Sequence, residues 1–185
     1  MAKREYRGDV PRIVALQGAT REKIQATLAE FVAQARRRGV RLAGAIELTC
    51  DRADPSCRSL ALEDISTGAV FSISQDLGPG STACNLDPDG LAAACAAVER
   101  AISQGADLVV LSKFGKQEAA RSGLCDAFRT AIQSGLPIVT AVSPTLAEPW
   151  RQFAGTLSAF LAADVATLEA WRQNVALSAL AVAAE

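Results

Sequence analysis

The chain has 185 residues, 50% of them hydrophobic and 21% charged, which suits one globular domain with a substantial core and leaves too little for two. A formal net charge of −1 excludes a general affinity for nucleic acid, which needs many cations facing phosphates. Histidine is absent, so histidine acid–base chemistry and histidine-bound zinc or iron are excluded as well.

The opening MAKREYRGDVPR is a polar tail over residues 1–11 and lacks the apolar core of a secretory signal. Residues 12–18, RIVALQG, predict a first strand closed by glycine, and Thr20 is placed to cap the helix that follows. That helix, over residues 21–38, carries Ile24, Leu28, Phe31, Val32 and Ala35 on one stripe and ends on Arg36, Arg37 and Arg38 before Gly39. RLAGAIEL, residues 41–48, predicts the next strand, and the turn residues of 50–58 predict a loop. Residues 59–65 and 69–74 predict a β-hairpin around Ser66, Thr67 and Gly68.

GPGSTACN, residues 78–85, is a polar link, after which Asp87 as cap and Pro88 as first helical residue predict a helix reaching about Ser103. Leu108, Val109, Val110 and Leu111 are an uninterrupted apolar run with a β-branched centre, typical of a central parallel strand. A helix is expected over 117–134, a buried strand over 136–143, and mainly helix over 157–180 with Trp171 as an apolar anchor. The fold class expected is α/β: one domain over 1–185, core about 12–177, its mainly parallel sheet covered by helices on both faces and carrying one inserted hairpin. No stretch is long and apolar enough to span a bilayer, since Asp164, Glu169 and Arg172 interrupt the alanine-rich end. A cytoplasmic location with no membrane insertion is expected, and with it mostly reduced thiols among the five cysteines.

Several segments in a fixed order carry a resemblance: SLALEDISTGAVFSI, SQDLG, CNLDPDGL, LVVLSKFGKQEA and PIVTAV. From about Arg12 to Trp171 the chain resembles an uncharacterised bacterial family linked with molybdenum transport and with thermophile-type P-loop nucleoside-triphosphatases. The resemblance implies a P-loop-NTPase-like fold, a phosphate loop after the first strand and an acidic magnesium site after LVVL. The residues depart from both. GATREKIQ has Gly18 but no second glycine before Lys23, and Ile24 and Gln25 stand where lysine or a hydroxyl is wanted. Ser112 and Lys113 stand where an Asp-Glu pair would hold magnesium and activate water. Magnesium is therefore not expected at the usual site, and activity does not follow from fold resemblance.

The residues expected to meet a ligand are Gly18, Thr20 and Lys23 after the first strand, Lys113, Gly115, Lys116 and Glu118 after LVVL, and Ser81 and Thr82 in the polar link. Lysines and helix N-termini at a sheet's carboxyl edge suit phosphate, a nucleotide or a tetrahedral oxyanion such as molybdate. The plainer alternative is a pair of solvated loop lysines, with Lys116 paired to Glu118 or another acid, and ordinary turn-forming roles for Ser81 and Thr82. Cys50, Cys57 and Cys84 flank the hairpin and are the candidates for a shared thiolate site, while Cys95 and Cys125 fall in helices as core residues. Three functions remain open. The first is a nucleotide- or oxyanion-binding accessory protein with a degenerate site, partnered by a small anion, by its own copies or by a molybdenum-transport component. The second is a cysteine-dependent metal or molybdate handling protein. The third is an unconventional nucleoside-triphosphatase.

Overall fold

The computed structural model describes residues 10–48, 60–75 and 86–183. In chain order its strands and α-helices are β1 (Ile13–Gln17), α1 (Arg21–Arg37), β2 (Leu42–Glu47), the hairpin strands β3 (Ala61–Asp64) and β4 (Val70–Ser72), α2 (Pro88–Ser103), β5 (Leu108–Leu111), α3 (Lys116–Ala119), α4 (Cys125–Gln133), β6 (Ile138–Ala141), α5 (Ala147–Ala154), β7 (Ser158–Ala162) and α6 (Val165–Ala183). The sheet order is β4-β3-β2-β5-β6-β1-β7. Its five long-connected strands, β2, β5, β6, β1 and β7, run parallel, while β3 adds antiparallel to β2 and β4 antiparallel to β3. This is a P-loop-NTPase-like, mainly parallel α/β sheet with an inserted hairpin.

Side chains alternate across the strands and so divide the core in two. Val14, Leu16, Val110 and Val139 pack against Leu28 and Phe31 of α1 and Leu168 and Trp171 of α6. Ile13, Ala15, Val109, Leu111 and Ile138 pack on the other face against Leu91 and Val98 of α2, Phe128 of α4 and Trp150 of α5. Burying each large apolar side chain this fully contributes about 1.5–3 kcal/mol before the cost of ordering it. Both tryptophans serve packing. Trp150 lies edge-on to Phe114 at 5.1 Å, and Trp171 donates its indole N–H to the Pro11 carbonyl at 2.7 Å.

The local signals act as expected at three places. Thr20 Oγ1 accepts the Lys23 amide at the start of α1, and Asp87 Oδ1 accepts the Asp89 amide with Pro88 behind it at the start of α2. In the hairpin turn Asp64 accepts the Ser66 amide and both the Ser66 and Thr67 hydroxyls, and Gly68 takes a φ of 78°. Close approach matters at Gly90, where a Cβ would stand 1.9 Å from the Ser72 carbonyl oxygen and hold α2 off β4.

Two expectations are corrected. Residues 117–134 do not form one helix: α3 stops at Ala119, Arg121 and Gly123 take left-handed φ of 64° and 65°, and α4 starts at Cys125. The cause is a carboxylate that reaches back into the break, described below. Residues 157–180 are mainly helical, in α6, but not from their start, because Ser158–Ala162 forms β7 on the far side of β1. SAFLA has no strong strand preference of its own, and the ladder with β1 decides its state. The helix α5 has no counterpart in the sequence reading. Among the described residues no helix is long and apolar enough to cross a membrane.

Candidate functional site

At the carboxyl edge of the sheet the chain leaves β1 through Gly18, Ala19 and Thr20 into α1, on the face that holds Phe31. It leaves the neighbouring strand β6 towards α5, on the opposite face that holds Trp150. Two adjacent parallel strands that send the chain to opposite faces leave a crevice between their ends, the place where open α/β sheets take ligands. A cleft of about 700 Å³ opens there. The backbone keeps its rim in register, with the Phe114 amide donating to the Ala141 carbonyl at 2.8 Å and the Val142 amide to the Leu16 carbonyl at 3.1 Å.

Four of the expected site residues, Gly18, Thr20, Lys113 and Gly115, line this one cleft. Its other walls are largely apolar, made by Ile24, Phe114, Val142, Pro144 and Leu146. Lys23 lies off the wall, one turn into α1, where its amide donates to the capping Thr20 Oγ1. Lys116 and Glu118 line a second recess, of about 360 Å³, on the hairpin side, and Lys113 and Gly115 border both spaces. Glu118 is 4% exposed; its Oε2 accepts the Gly115 amide and its Oε1 the Leu124 amide, each at 2.8 Å. That carboxylate bridges the break between α3 and α4, and a Cβ on Gly123 would stand 2.3 Å from it. Ser81, Thr82, Cys50, Cys57 and Cys84 lie outside the described residues. Among the described residues no group of three or more Cys, Asp or Glu side chains is placed to hold a metal ion. Cys95 and Cys125 are buried free thiols, and burial pushes both up from the usual thiol range.

The structure adds a residue that the sequence reading did not single out. Glu47 ends β2 at the same edge with its side chain 5% exposed, and two cations meet it. Lys113 Nζ stands 2.6 Å from Oε1, while Arg21 approaches Oε2 with Nη2 at 2.5 Å and Nε at 3.1 Å. Burial pushes the Glu47 carboxyl up, but hydrogen bonds and charge from Lys113 and then Arg21 outweigh it and hold the pKa below the ordinary value. The trio carries a net +1. The heads of Arg21 and Lys113 remain about half exposed, at 53% and 47%, so donors are left for a further anion. The signal in the sequence was a lone acid closing the apolar run LAGAI, at the end of a strand aimed at the ligand edge.

One more contact ties α1 to β5. Gln25 Nε2 donates to the Ser112 carbonyl at 3.1 Å, which sets the Gln25 carboxamide beside Lys113 on the cleft wall.

Residues 13–171 match the family described as "Protein of unknown function (DUF2478)". The chain belongs to this family. It is also 37% identical, over 163 residues, to "Molybdenum import ATP-binding protein ModC 2" of Bradyrhizobium diazoefficiens. That match takes in 88% of this DUF2478 chain and 18% of the relative, so the chain spans less than a fifth of the relative's length. No solved structure matches it.

Proposed function

We propose that this DUF2478 protein is a binding or accessory domain that holds a nucleotide or a small oxyanion in the cleft between the ends of β1 and β6, its P-loop-like apparatus being degenerate. The observation that carries this reading is the cluster of Arg21, Glu47 and Lys113: one buried carboxylate gathers two half-exposed cations on the cleft wall. A net positive wall beside the N-terminus of α1 attracts an anion. Turnover is not supported. The turn from β1 to α1 is three residues with one glycine, too short to cradle a triphosphate, and Lys113 cannot ligate magnesium or act as a carboxylate base.

The relative's name joins ATP binding to molybdenum import, and this supports a place for the domain beside a molybdenum transporter on the cytoplasmic side, with the transporter or further copies of the chain as partners. The test is a calorimetric and thermal-shift series with ATP, GTP, ADP, phosphate, sulfate, molybdate and tungstate, with and without magnesium. At least one should raise the melting temperature with concentration, a hundredfold excess over Kd being worth about 2.7 kcal/mol, and Lys113→Ala should weaken it. Silence from all seven would sink the binding reading. Magnesium-dependent hydrolysis that Lys113→Ala abolishes would sink the accessory reading.

A further inference from the structure

Inside the cleft one polar atom lacks a partner. Gln25 is 5% exposed, its Nε2 is committed to the Ser112 carbonyl, and its Oε1, also buried, accepts no hydrogen bond. Buried acceptors are normally satisfied, and one that is not needs an explanation. Thr140 Oγ1 and Trp150 Nε1 are unpartnered too, but neither residue is on the cleft wall. Gln25 is, and its carboxamide is anchored on the residue before Lys113.

A ligand satisfies that oxygen only by bringing an N–H or O–H to it. Sulfate, molybdate and tungstate are fully deprotonated near neutral pH and offer acceptors alone, so each would set oxygen against oxygen. Hydrogen phosphate keeps a proton, and a nucleotide brings ribose hydroxyls and base amino groups. The apolar walls and a volume of about 700 Å³ also exceed what a bare tetrahedral anion fills. We propose that Gln25 is the specificity-determining residue of this cleft, which takes an anion carrying a hydrogen-bond donor, hydrogen phosphate or a nucleotide, and rejects acceptor-only oxyanions, molybdate included. The inference rests on the anion-binding reading above and narrows it. A site with a buried hydrogen-bonding group discriminates strongly against a ligand that leaves it unpaired.

The experiment is titration calorimetry of the full chain near neutral pH, at matched ionic strength, with ADP, phosphate, sulfate and molybdate. Phosphate or ADP should bind at least tenfold more tightly than sulfate and molybdate; affinity for ADP alone assigns the donor to the nucleoside, and affinity for both assigns it to the protonated phosphate. Gln25→Met keeps the length and leaves only a weak thioether acceptor, and it should cost the favoured ligand about tenfold while sulfate, relieved of the opposing oxygen, binds no worse and the gap between the two narrows. If Gln25→Met does not fold, the wild-type ratio of phosphate to sulfate decides alone, because the two have the same shape and differ in a proton. Sulfate or molybdate binding as tightly as phosphate and ADP would overturn the role of Gln25 and leave the anion-binding reading standing. Tungstate binding while none of the four, nor ATP or GTP, binds would likewise overturn this inference alone, and silence from every ligand would overturn both.

Discussion

Glu47 sets the electrostatics of the cleft, and its protonation has a direction that can be worked out. Its native pKa is depressed, so its pairing with Lys113 and Arg21 adds stability that is fully present above the unfolded value of about 4.3 and is lost as pH falls through the native one. Removing a carboxylate from such a buried pairing leaves two cations facing each other. Glu47→Gln should lower stability at neutral pH by about 2 kcal/mol, short of the full buried-pair penalty because both cations reach solvent. Urea titrations across pH should show the gap between wild type and variant closing on the acid side; a gap independent of pH would refute the pairing. Glu169 makes the same argument away from the site. Arg172 at 2.6 Å, then Gln173 and Arg38, hold its pKa at about 2. Glu169→Gln should therefore cost on the order of 2 kcal/mol above pH ~4.3 and nothing once pH has dropped past about 2. Neither carboxylate stood out in the sequence as more than an acid in an apolar stretch, because what makes each special is a cation or set of cations brought up from elsewhere. Thr20, Gly18 and Lys113 were legible, since they sit beside the strand ends that the apolar runs mark.

Within elements, two positions carry constraints that the packing of neighbours imposes. Gly44 is in the middle of β2 with a φ of 143°, and a Cβ there would stand 1.9 Å from the Val110 carbonyl oxygen of β5. Gly44→Ala must push apart two central strands, and a loss of about 3 kcal/mol in equilibrium unfolding is expected. Near-wild-type stability would show that β2 and β5 do not approach this closely. Glu118 holds the turn between α3 and α4 through two backbone amides, so Glu118→Ala leaves one buried and one half-buried donor without this acceptor and should cost about 2 kcal/mol. Because one of those amides belongs to Gly115 on the cleft rim, the same variant should weaken ligand binding; unchanged affinity in the folded variant would separate the brace from the site. The sequence reading ran one helix over residues 117–134 because Leu124, Phe128, Ala131 and Ile132 fall at helical spacing. The information that stops α3, a carboxylate turned back onto two amides, resides in a side-chain conformation and not in a periodicity. β7 was missed for a related reason: five small and apolar residues suit either state, and only the open edge of β1 chooses.

For the whole molecule, the strand order places the cleft. β1 and β6 are 125 residues apart where Gln17 Nε2 reaches the Val142 carbonyl, yet their ends form one rim. A ligand seated there contacts segments after β1, β5 and β6 at once, so it should raise the cooperativity of the sheet as well as its melting temperature. Hydrogen exchange with and without bound ligand should then show added protection in β1, β5 and β6 together, and protection confined to one segment would place the ligand elsewhere. The kinds and order of most elements, the α/β class, the caps at Thr20 and Asp87 and the hairpin are legible along the chain, because hydrophobic period, capping and turn chemistry act over a few residues. Folding of the whole chain sets which strand ends lie side by side, and therefore that Glu47 stands between Arg21 and Lys113 and that Gln25, on the cleft wall, keeps an unpaired oxygen. Those contacts join residues on separate elements, and they form only when the two helix layers close on the sheet and bring its carboxyl edge together.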